Sequence, residues 1–269
     1  MLPWSDTTIN GWVLDPDRKK MAKSIGNVVT PMPLVEEYGA DALRYWACNG
    51  RPAVDTAVDF GVMKIGRKLA IKILNVSKFV FAIAGEASDD ASAITNLLDH
   101  SMLSALADLV DEATTAFDAF DYARALERTE RFFWAFCDDY VELVKARAYG
   151  GAGESEAASA AVALRTALST LLRLLAPFLA FTTEEVWSWW QEGSIHRASW
   201  PESAPLRLAD ARPLVYEVAA TVLTAVRKEK SEQKRSLATP VAHVLVREND
   251  DRLAALLAAE RDVRDAGKI

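Results

Sequence analysis

Cysteine and histidine are scarce in this chain of 269 residues: two of the first and three of the second. Two thiols, Cys48 and Cys137, build no disulfide framework and suggest no zinc site. Long apolar runs are also missing, because charges interrupt every stretch that approaches the length of a membrane span. The opening Met1-Leu2-Pro3-Trp4-Ser5-Asp6 lacks the basic and apolar regions of a signal peptide. These absences lead to the expectation of a soluble, cytoplasmic protein without a membrane partner or a bound metal. Positive charge is in deficit as well: 31 Lys and Arg against 38 Asp and Glu give a net charge of -7. That total argues against a general nucleic-acid binder, though not against one with clustered cations.

The cations are clustered. Arg18, Lys19, Lys20 and Lys23 form one group, Lys64, Arg67, Lys68, Lys72 and Lys78 a second, and Arg227, Lys228, Lys230, Lys234 and Arg235 a third. A solvated helix face explains any one of them as readily as a binding surface does.

With 51% hydrophobic residues, the chain can build a large core or two smaller ones. Residues 1–32 read as loop, with a short strand at Gly11-Trp12-Val13-Leu14. Residues 33–46 read as a helix with Pro33 in its first turn. From Asp59 to Ala84, Val62, Ile65, Leu69, Ile73, Val76 and Val80 recur at helical spacing. Gly85 and Asp89-Asp90 end that helix. Helices are expected over 96–119, from Asp121 as cap to Tyr149, over 156–181 with Pro177 kinking or dividing it, and over 213–231. Thr182-Thr183-Glu184-Glu185 reads as a capping box for a short helix. Thr239 to Val246 switches to strand character, and 250–260 returns to helix. The expected fold class is mainly α: a helical bundle, preceded by a loop-rich piece and followed by a small α/β tail that looks cut short. The divisions fall at 1–90, 91–235 and 236–269.

The stretch that carries chemistry is Asp15-Pro16-Asp17-Arg18-Lys19-Lys20-Met21-Ala22-Lys23-Ser24-Ile25-Gly26-Asn27. Two lysines three apart in a loop can face one polyphosphate, and Gly26 permits a positive φ or a close backbone approach. Ser24 and Asn27 can cap the turn or donate hydrogen bonds. Such a loop suits a developing negative charge. A lysine-rich surface loop is the bland alternative.

Lys20-Met21-Ala22-Lys23-Ser24 followed by Gly26-Asn27 resembles the KMSKS signature of the class I aminoacyl-tRNA synthetases. Tyr38-Gly39-Ala40-Asp41-Ala42-Leu43-Arg44-Tyr45-Trp46 resembles the helix that follows it in the isoleucine, leucine and valine members. Asp55-Thr56-Ala57, Asp138-Asp139-Tyr140, Ala176-Pro177-Phe178, Thr183-Glu184-Glu185-Val186-Trp187 and Gly193-Ser194-Ile195-His196-Arg197 resemble the valine branch, in family order. The resemblance implies that Lys20 and Lys23 act on the phosphates of ATP, with Ser24, Gly26 and Asn27 completing the loop and Mg2+ accompanying the nucleotide. It implies that the bundle binds the anticodon of tRNA(Val). Ala22 stands where the family has Ser, and Ile25 where this branch has a basic residue. His100, His196 and His243 stand in no HIGH motif, and the amino-acid pocket and editing domain precede the KMSKS loop in the family. Valine activation is therefore not expected of this chain alone, nor ATP binding; the remaining catalytic half is an expected partner. The rival readings are a non-catalytic tRNA- or protein-binding paralogue and an inactive remnant.

Arg124, Arg128 and Arg131 share a helix face and are candidates for tRNA phosphates, or for ion pairs with Glu127, Glu130 and neighbouring helices. Of Phe132, Phe133, Trp134 and Phe136, at least three are expected in the core rather than stacked on bases. Trp187, Trp189 and Trp190 cannot all face inward. His196 and His243 read as structural, and Cys48 and Cys137 as buried thiols.

Overall fold

A computed structural model describes residues 3–85 and 90–269; Met1 and Asp89 lie outside the described residues. The chain is helical almost throughout. Its strand content among the described residues is a two-residue parallel pair, β1 (Val13–Leu14) against β2 (Thr56–Ala57). The helices are α1 (Pro31–Tyr38), α2 (Ala40–Cys48), α3 (Phe60–Ala84), α4 (Leu97–Asp118), α5 (Tyr122–Ala135), α6 (Val141–Ala146), α7 (Glu154–Leu175), α8 (Ala180–Trp187), α9 (Leu214–Glu232), α10 (Asp250–Ala258) and α11 (Glu260–Gly267).

Local chemistry sets most of the boundaries. Asp59 caps α3, its Oδ1 accepting from the amides of Gly61 and Val62. Asp121 accepts from the Arg124 amide at the start of α5. The expected single helix over 33–46 is two, α1 and α2, divided at Gly39. The expected helix from Asp121 to Tyr149 is continuous but is interrupted by π segments at Phe136–Tyr140 and Arg147–Gly151. Pro177 does divide α7 from α8, since a ring at that point removes a helical donor. By length and composition α7 could cross a membrane, against the expectation that no run is long enough. In this protein 72% of that window is buried, as in a core helix.

Three expectations need correction. The buried stripe of α3 is Met63, Leu69, Ile73, Val76 and Val80, while Ile65 is 46% exposed and Val62 half-buried. Gly66 falls on the inner face because the Tyr45 ring lies against it, and this turns Ile65 outward. Thr182 to Glu185 form no capping box, because they lie inside α8. The cap comes from α2: the buried Asp41 carboxylate accepts from the amides of Phe181 (3.0 Å) and Thr182 (2.7 Å) and from the Thr182 hydroxyl (2.6 Å). Glu184 instead accepts from Ser194 and the Ile195 amide. Finally, residues 239–246 form no strand. Val244, Leu245 and Val246 keep a half-buried, exposed, half-buried alternation, but a strand needs a paired neighbour and none lies beside them among the described residues.

Two compact units divide the chain. One comprises Met1–Ser77, Asp111–Glu130 and Leu172–Trp200, the other Lys78–Val110, Arg131–Leu171 and Pro201–Ile269. In the first, Leu34, Val58 and Met63 form a core joined by Val29, Tyr38, Leu43 and Trp46. Tyr45 donates to Glu130 at 2.6 Å, and Trp46 Nε1 to the Ala57 carbonyl at 2.9 Å.

The second unit contains a buried polar cluster, and its buried apolar residues include Leu98, Met102, Phe136, Leu143 and Leu164. Arg147, 2% exposed, meets the fully buried Asp99 through two bonds, Nη1 to Oδ2 at 2.8 Å and Nη2 to Oδ1 at 2.7 Å. Asp99 also accepts from the Tyr140 hydroxyl (2.7 Å) and the Ser159 hydroxyl (2.6 Å). The Nε of Arg147 donates to both oxygens of Asp262 at 3.2 Å, which ties α11 to the cluster. Burial outweighs the neighbouring guanidinium and pushes the Asp262 carboxyl up to about 6.

Candidate functional site

The lysine-rich loop is built on β1. Leu14 forms an isolated antiparallel bridge with Lys20, and Asp15 and Lys19 close the turn between them, the Asp15 amide donating to the Lys19 carbonyl at 2.9 Å. Arg18 adopts a positive φ of 64° to make that turn. Upstream, the strand is pinned to the 53–58 segment. The Trp12 amide donates to Asp55 Oδ1 at 2.7 Å, and the Thr56 amide to the Trp12 carbonyl at 2.9 Å. Gly11 is required there, since a Cβ would lie 2.2 Å from the Val54 carbonyl oxygen.

At its outer end the loop turns through Ala22, Lys23, Ser24 and Ile25. The amides of Ile25 and Gly26 return to the Ala22 carbonyl at 3.1 and 3.2 Å. Gly26 has φ 74°, a conformation that L side chains rarely adopt. Lys20, Lys23, Ser24 and Gly26 are exposed, so the side chains of both lysines are available to a ligand. Lys20 Nζ lies 4.5 Å from the centre of the exposed Trp12 ring, a cation–π contact. Ile25 is 70% exposed and adds neither charge nor donor.

Asn27 is placed differently from the exposed four. Its Oδ1 accepts from the Ala22 amide at 2.9 Å, and its Nδ2 donates to Asp15 Oδ2 (2.8 Å) and to the Lys20 carbonyl (3.2 Å). The amide side chain is thus turned into the loop. Asp15, 5% exposed, accepts the Lys19 amide on its other oxygen at 2.7 Å. Those two donors, Lys19 first and Asn27 second, hold the Asp15 carboxyl below its ordinary value. The Val29 amide donates to the Met21 sulfur at 3.3 Å and closes the loop's inner side. Asp15 heads the stretch that the sequence marks for chemistry, and Asp15-Pro16-Asp17 reads there as a turn, but the sequence alone assigns it no role among the loop residues.

On α5, Arg124 and Arg131 are exposed, and Arg128 is paired with Glu112 of α4 at 3.8 Å. Phe133 and Phe136 are buried, whereas Phe132 and Trp134 are half-buried, one fewer in the core than expected. Trp187 is buried against Trp190, and Trp189 is 38% exposed, so one of the three does face outward. His196 bonds the Ala180 carbonyl at 3.1 Å, and His243 is exposed. Cys137 is buried and Cys48 half-buried, its thiol pushed up by burial.

Two cations of the third basic group are used within the fold, and Lys228, Lys234 and Arg235 are exposed. Arg227 donates to the Asp138 carbonyl and pairs with Asp139 and Glu142. Lys230, 6% exposed, donates to the carbonyls of Leu237 (2.9 Å) and Gly267 (2.8 Å). Among the described residues no three His, Cys, Asp or Glu are grouped to hold a metal ion.

Two family models match the sequence. The anticodon-binding domain of tRNA ligase matches residues 99–246, and tRNA synthetases class I (I, L, M and V) match residues 1–59. Among curated proteins, the valine–tRNA ligase of Thermobifida fusca is 54% identical over 271 residues, covering 100% of this chain and 30% of that protein. That of Salinispora tropica is 51% identical over 286 residues, covering 100% and 33%. The chain thus spans about a third of the length of the curated relatives it matches. Among solved structures, the ternary complex LeuRS–tRNA–LeuAMS from Agrobacterium radiobacter K84 aligns with a TM-score of 0.62 at 20% identity. It covers 74% of this chain and 24% of that one, a likeness of fold.

Proposed function

Because this chain belongs to the family of tRNA ligase anticodon-binding domains, and its whole length aligns with the C-terminal part of valine–tRNA ligases, we propose that it supplies two parts of such an enzyme. The loop from Asp15 to Asn27 serves ATP, and the helical bundle serves tRNA(Val). The observation that carries the first assignment is a loop tied down at its base that leaves Lys20, Lys23 and Ser24 exposed. In the complete enzyme, the valine carboxylate attacks the α-phosphorus of ATP to form valyl-adenylate as pyrophosphate leaves, and the acyl group then passes to a hydroxyl at the 3′ end of the tRNA as AMP leaves. Lys20 and Lys23 stabilise the charge that develops on the departing phosphates. Ser24 offers a hydroxyl donor, and Gly26 lets the backbone turn beneath the phosphates. Asn27 contributes by ordering the loop.

Mg2+ accompanies the nucleotide as part of the substrate; among the described residues no three His, Cys, Asp or Glu are grouped to hold it. The histidines also take no part: His100 is buried with Nε2 on the Ile94 carbonyl, and His196 and His243 stand outside the loop. The chain alone is therefore expected to bind no ATP and to be inactive in valine activation. The functional division we favour is 1–90 for the end of the catalytic domain, 91–235 for the anticodon bundle and 236–269 for the tail. Its support is that the two family models match on either side of the first boundary. The cytoplasm, where translation takes place, is the expected location.

For the bundle, Arg124, Arg128 and Arg131 are the proposed phosphate contacts. A net charge of -7 keeps non-specific attraction small, so binding depends on such local cations. A titration of the chain with valine tRNA and with an anticodon-swapped tRNA, at two salt concentrations, tests this. Weak binding is expected, tighter for valine tRNA and weaker at high salt, since each neutralised phosphate releases counterions. Arg128→Glu is expected to weaken it further. If neither RNA binds at low salt, the bundle has no such role; if Arg128→Glu equals the parent, the arginine face is misassigned.

A further inference from the structure

We propose that Asp15 is a positioning residue for the lysine loop: acting through Asn27, it fixes how Lys20 and Lys23 are presented to a polyphosphate. The inference rests on the reading of that loop as the ATP loop.

The bonding pattern accepts these two side chains and not their close relatives. Asp15 receives two donors, the Lys19 amide on Oδ1 and Asn27 Nδ2 on Oδ2. A carboxylate is acceptor-only on both oxygens, whereas an amide there turns a donor toward a donor. Asn27 does the reverse. It donates to Asp15 and to the Lys20 carbonyl while accepting the Ala22 amide. A carboxylate at 27 has no hydrogen to give and stands against Asp15 as a like charge. The chain of contacts therefore runs from the turn before the lysines, through one buried acid and one amide, to both sides of Lys20-Met21-Ala22. Lys20 is fixed through its own carbonyl, and Lys23 through the neighbouring Ala22, whose carbonyl also receives the Ile25 and Gly26 amides.

The hydrogen-bonding groups of this set are turned into the loop. Asp15 is 5% exposed, and the Asn27 side chain is engaged at both ends. Trp12 adds the resting place of the Lys20 ammonium, on a strand that Asp55 and Thr56 anchor. The loop is thus pre-ordered at its base and free at its cationic tips, so that little ordering entropy opposes binding.

The test is backbone 15N relaxation on this chain, paired with steady-state kinetics on a ligase of the relatives' length that carries it. In the parent, the amides of Ala22 and Lys23 are expected to show order parameters near that of rigid backbone, about 0.85, and in Asp15→Ala below about 0.6, with the melting temperature little changed. The exchanged pair, Asp15→Asn with Asn27→Asp, restores one donor–acceptor contact and is expected to recover part of the order, while Asp15→Asn alone does not. In the ligase, Asp15→Ala is expected to raise the KM for ATP about tenfold, the scale of one lost charged hydrogen bond, and to leave the KM for valine alone. Unchanged order and unchanged ATP KM in Asp15→Ala overturn the inference. The reading of the loop itself fails separately: Lys23→Ala then leaves the exchange rate untouched even though Asp15→Ala loosens the loop.

Discussion

The buried pair of Asp99 and Arg147 gives a sharp test of what holds the second unit together. Asp99 accepts two guanidinium bonds and two hydroxyl bonds within 2.6 to 2.8 Å, and neither side chain is exposed by more than 2%. Replacing Asp99 by Leu leaves the buried cation facing only Asp262 and Glu156, and leaves the Tyr140 and Ser159 hydroxyls without an acceptor. Breaking one side of a buried pair costs about 3–5 kcal/mol. Each orphaned hydroxyl adds about 1 kcal/mol at the low end for unsatisfied groups. The expected loss is thus a large share of a domain stability of about 5–15 kcal/mol. Asp99→Asn keeps one acceptor oxygen and is expected to lose less. The double variant Asp99→Leu with Arg147→Met removes both charges and is expected to regain most of the loss, since well-packed apolar replacements of buried pairs are often neutral. Urea unfolding at fixed pH measures the parent, these three variants and Arg147→Met alone, with the slope m checking that the transition is unchanged. A loss below about 1 kcal/mol for Asp99→Leu, or a double variant that loses the sum of its singles, would refute the reasoning.

Asp262 makes the same cluster pH-dependent. Its carboxyl sits at about 6 in the fold against 3.8 ordinarily, so the folded state holds the proton more tightly; this contribution is full below pH 3.8 and is lost as pH rises through about 6. Asp262→Asn should flatten the parent's change in unfolding free energy between pH 4 and 7; an identical pH profile in the two proteins counts against it. Asp41→Ala should cost about 2 kcal/mol, the upper end for a helix cap, because three donors at the start of α8 lose their acceptor. A melting temperature equal to the parent's would show that the contact contributes nothing.

Much of this fold was legible because the chain is written in local signals. Asp59, Asp121 and Pro177 each mark a helix end that the structure has at that place, and each acts through its own neighbours in sequence. What escaped depends on partners far along the chain. The cap of α8 comes from Asp41, 140 residues away, while its own Thr182 and Glu184 imitate a capping box without making one. The stripe of α3 was read correctly from Leu69 to Val80 but missed at its start, where Met63 and Gly66 rather than Val62 and Ile65 face inward, because Gly66, which carries no hydrophobic signal, is where Tyr45 packs. Residues 239–246 alternate as a strand does, but pairing is a property of two segments, and periodicity sees only one.

The candidate site divides in the same way. Lys20, Lys23, Ser24 and Gly26 were visible as residue types suited to phosphate, and all four are exposed on one loop. Asn27 was visible too, but its inward orientation was not, since an amide serves a ligand or a loop equally well. The arginines of α5 divide between their two readings: Arg128 makes an ion pair with a neighbouring helix, at Glu112, while Arg124 and Arg131 are exposed.

The central claim is that the Lys20–Lys23 loop of this chain serves ATP in a valine–tRNA ligase. It is tested most directly by valine-dependent ATP–pyrophosphate exchange in the Thermobifida fusca enzyme with its matching segment replaced by this chain, with and without Lys23→Ala. The account predicts exchange by the hybrid and a loss of about 2.7–4 kcal/mol in transition-state stabilisation, roughly a hundredfold to a thousandfold in rate, on removing the Lys23 cation. An unaltered rate in the Lys23→Ala hybrid would contradict it.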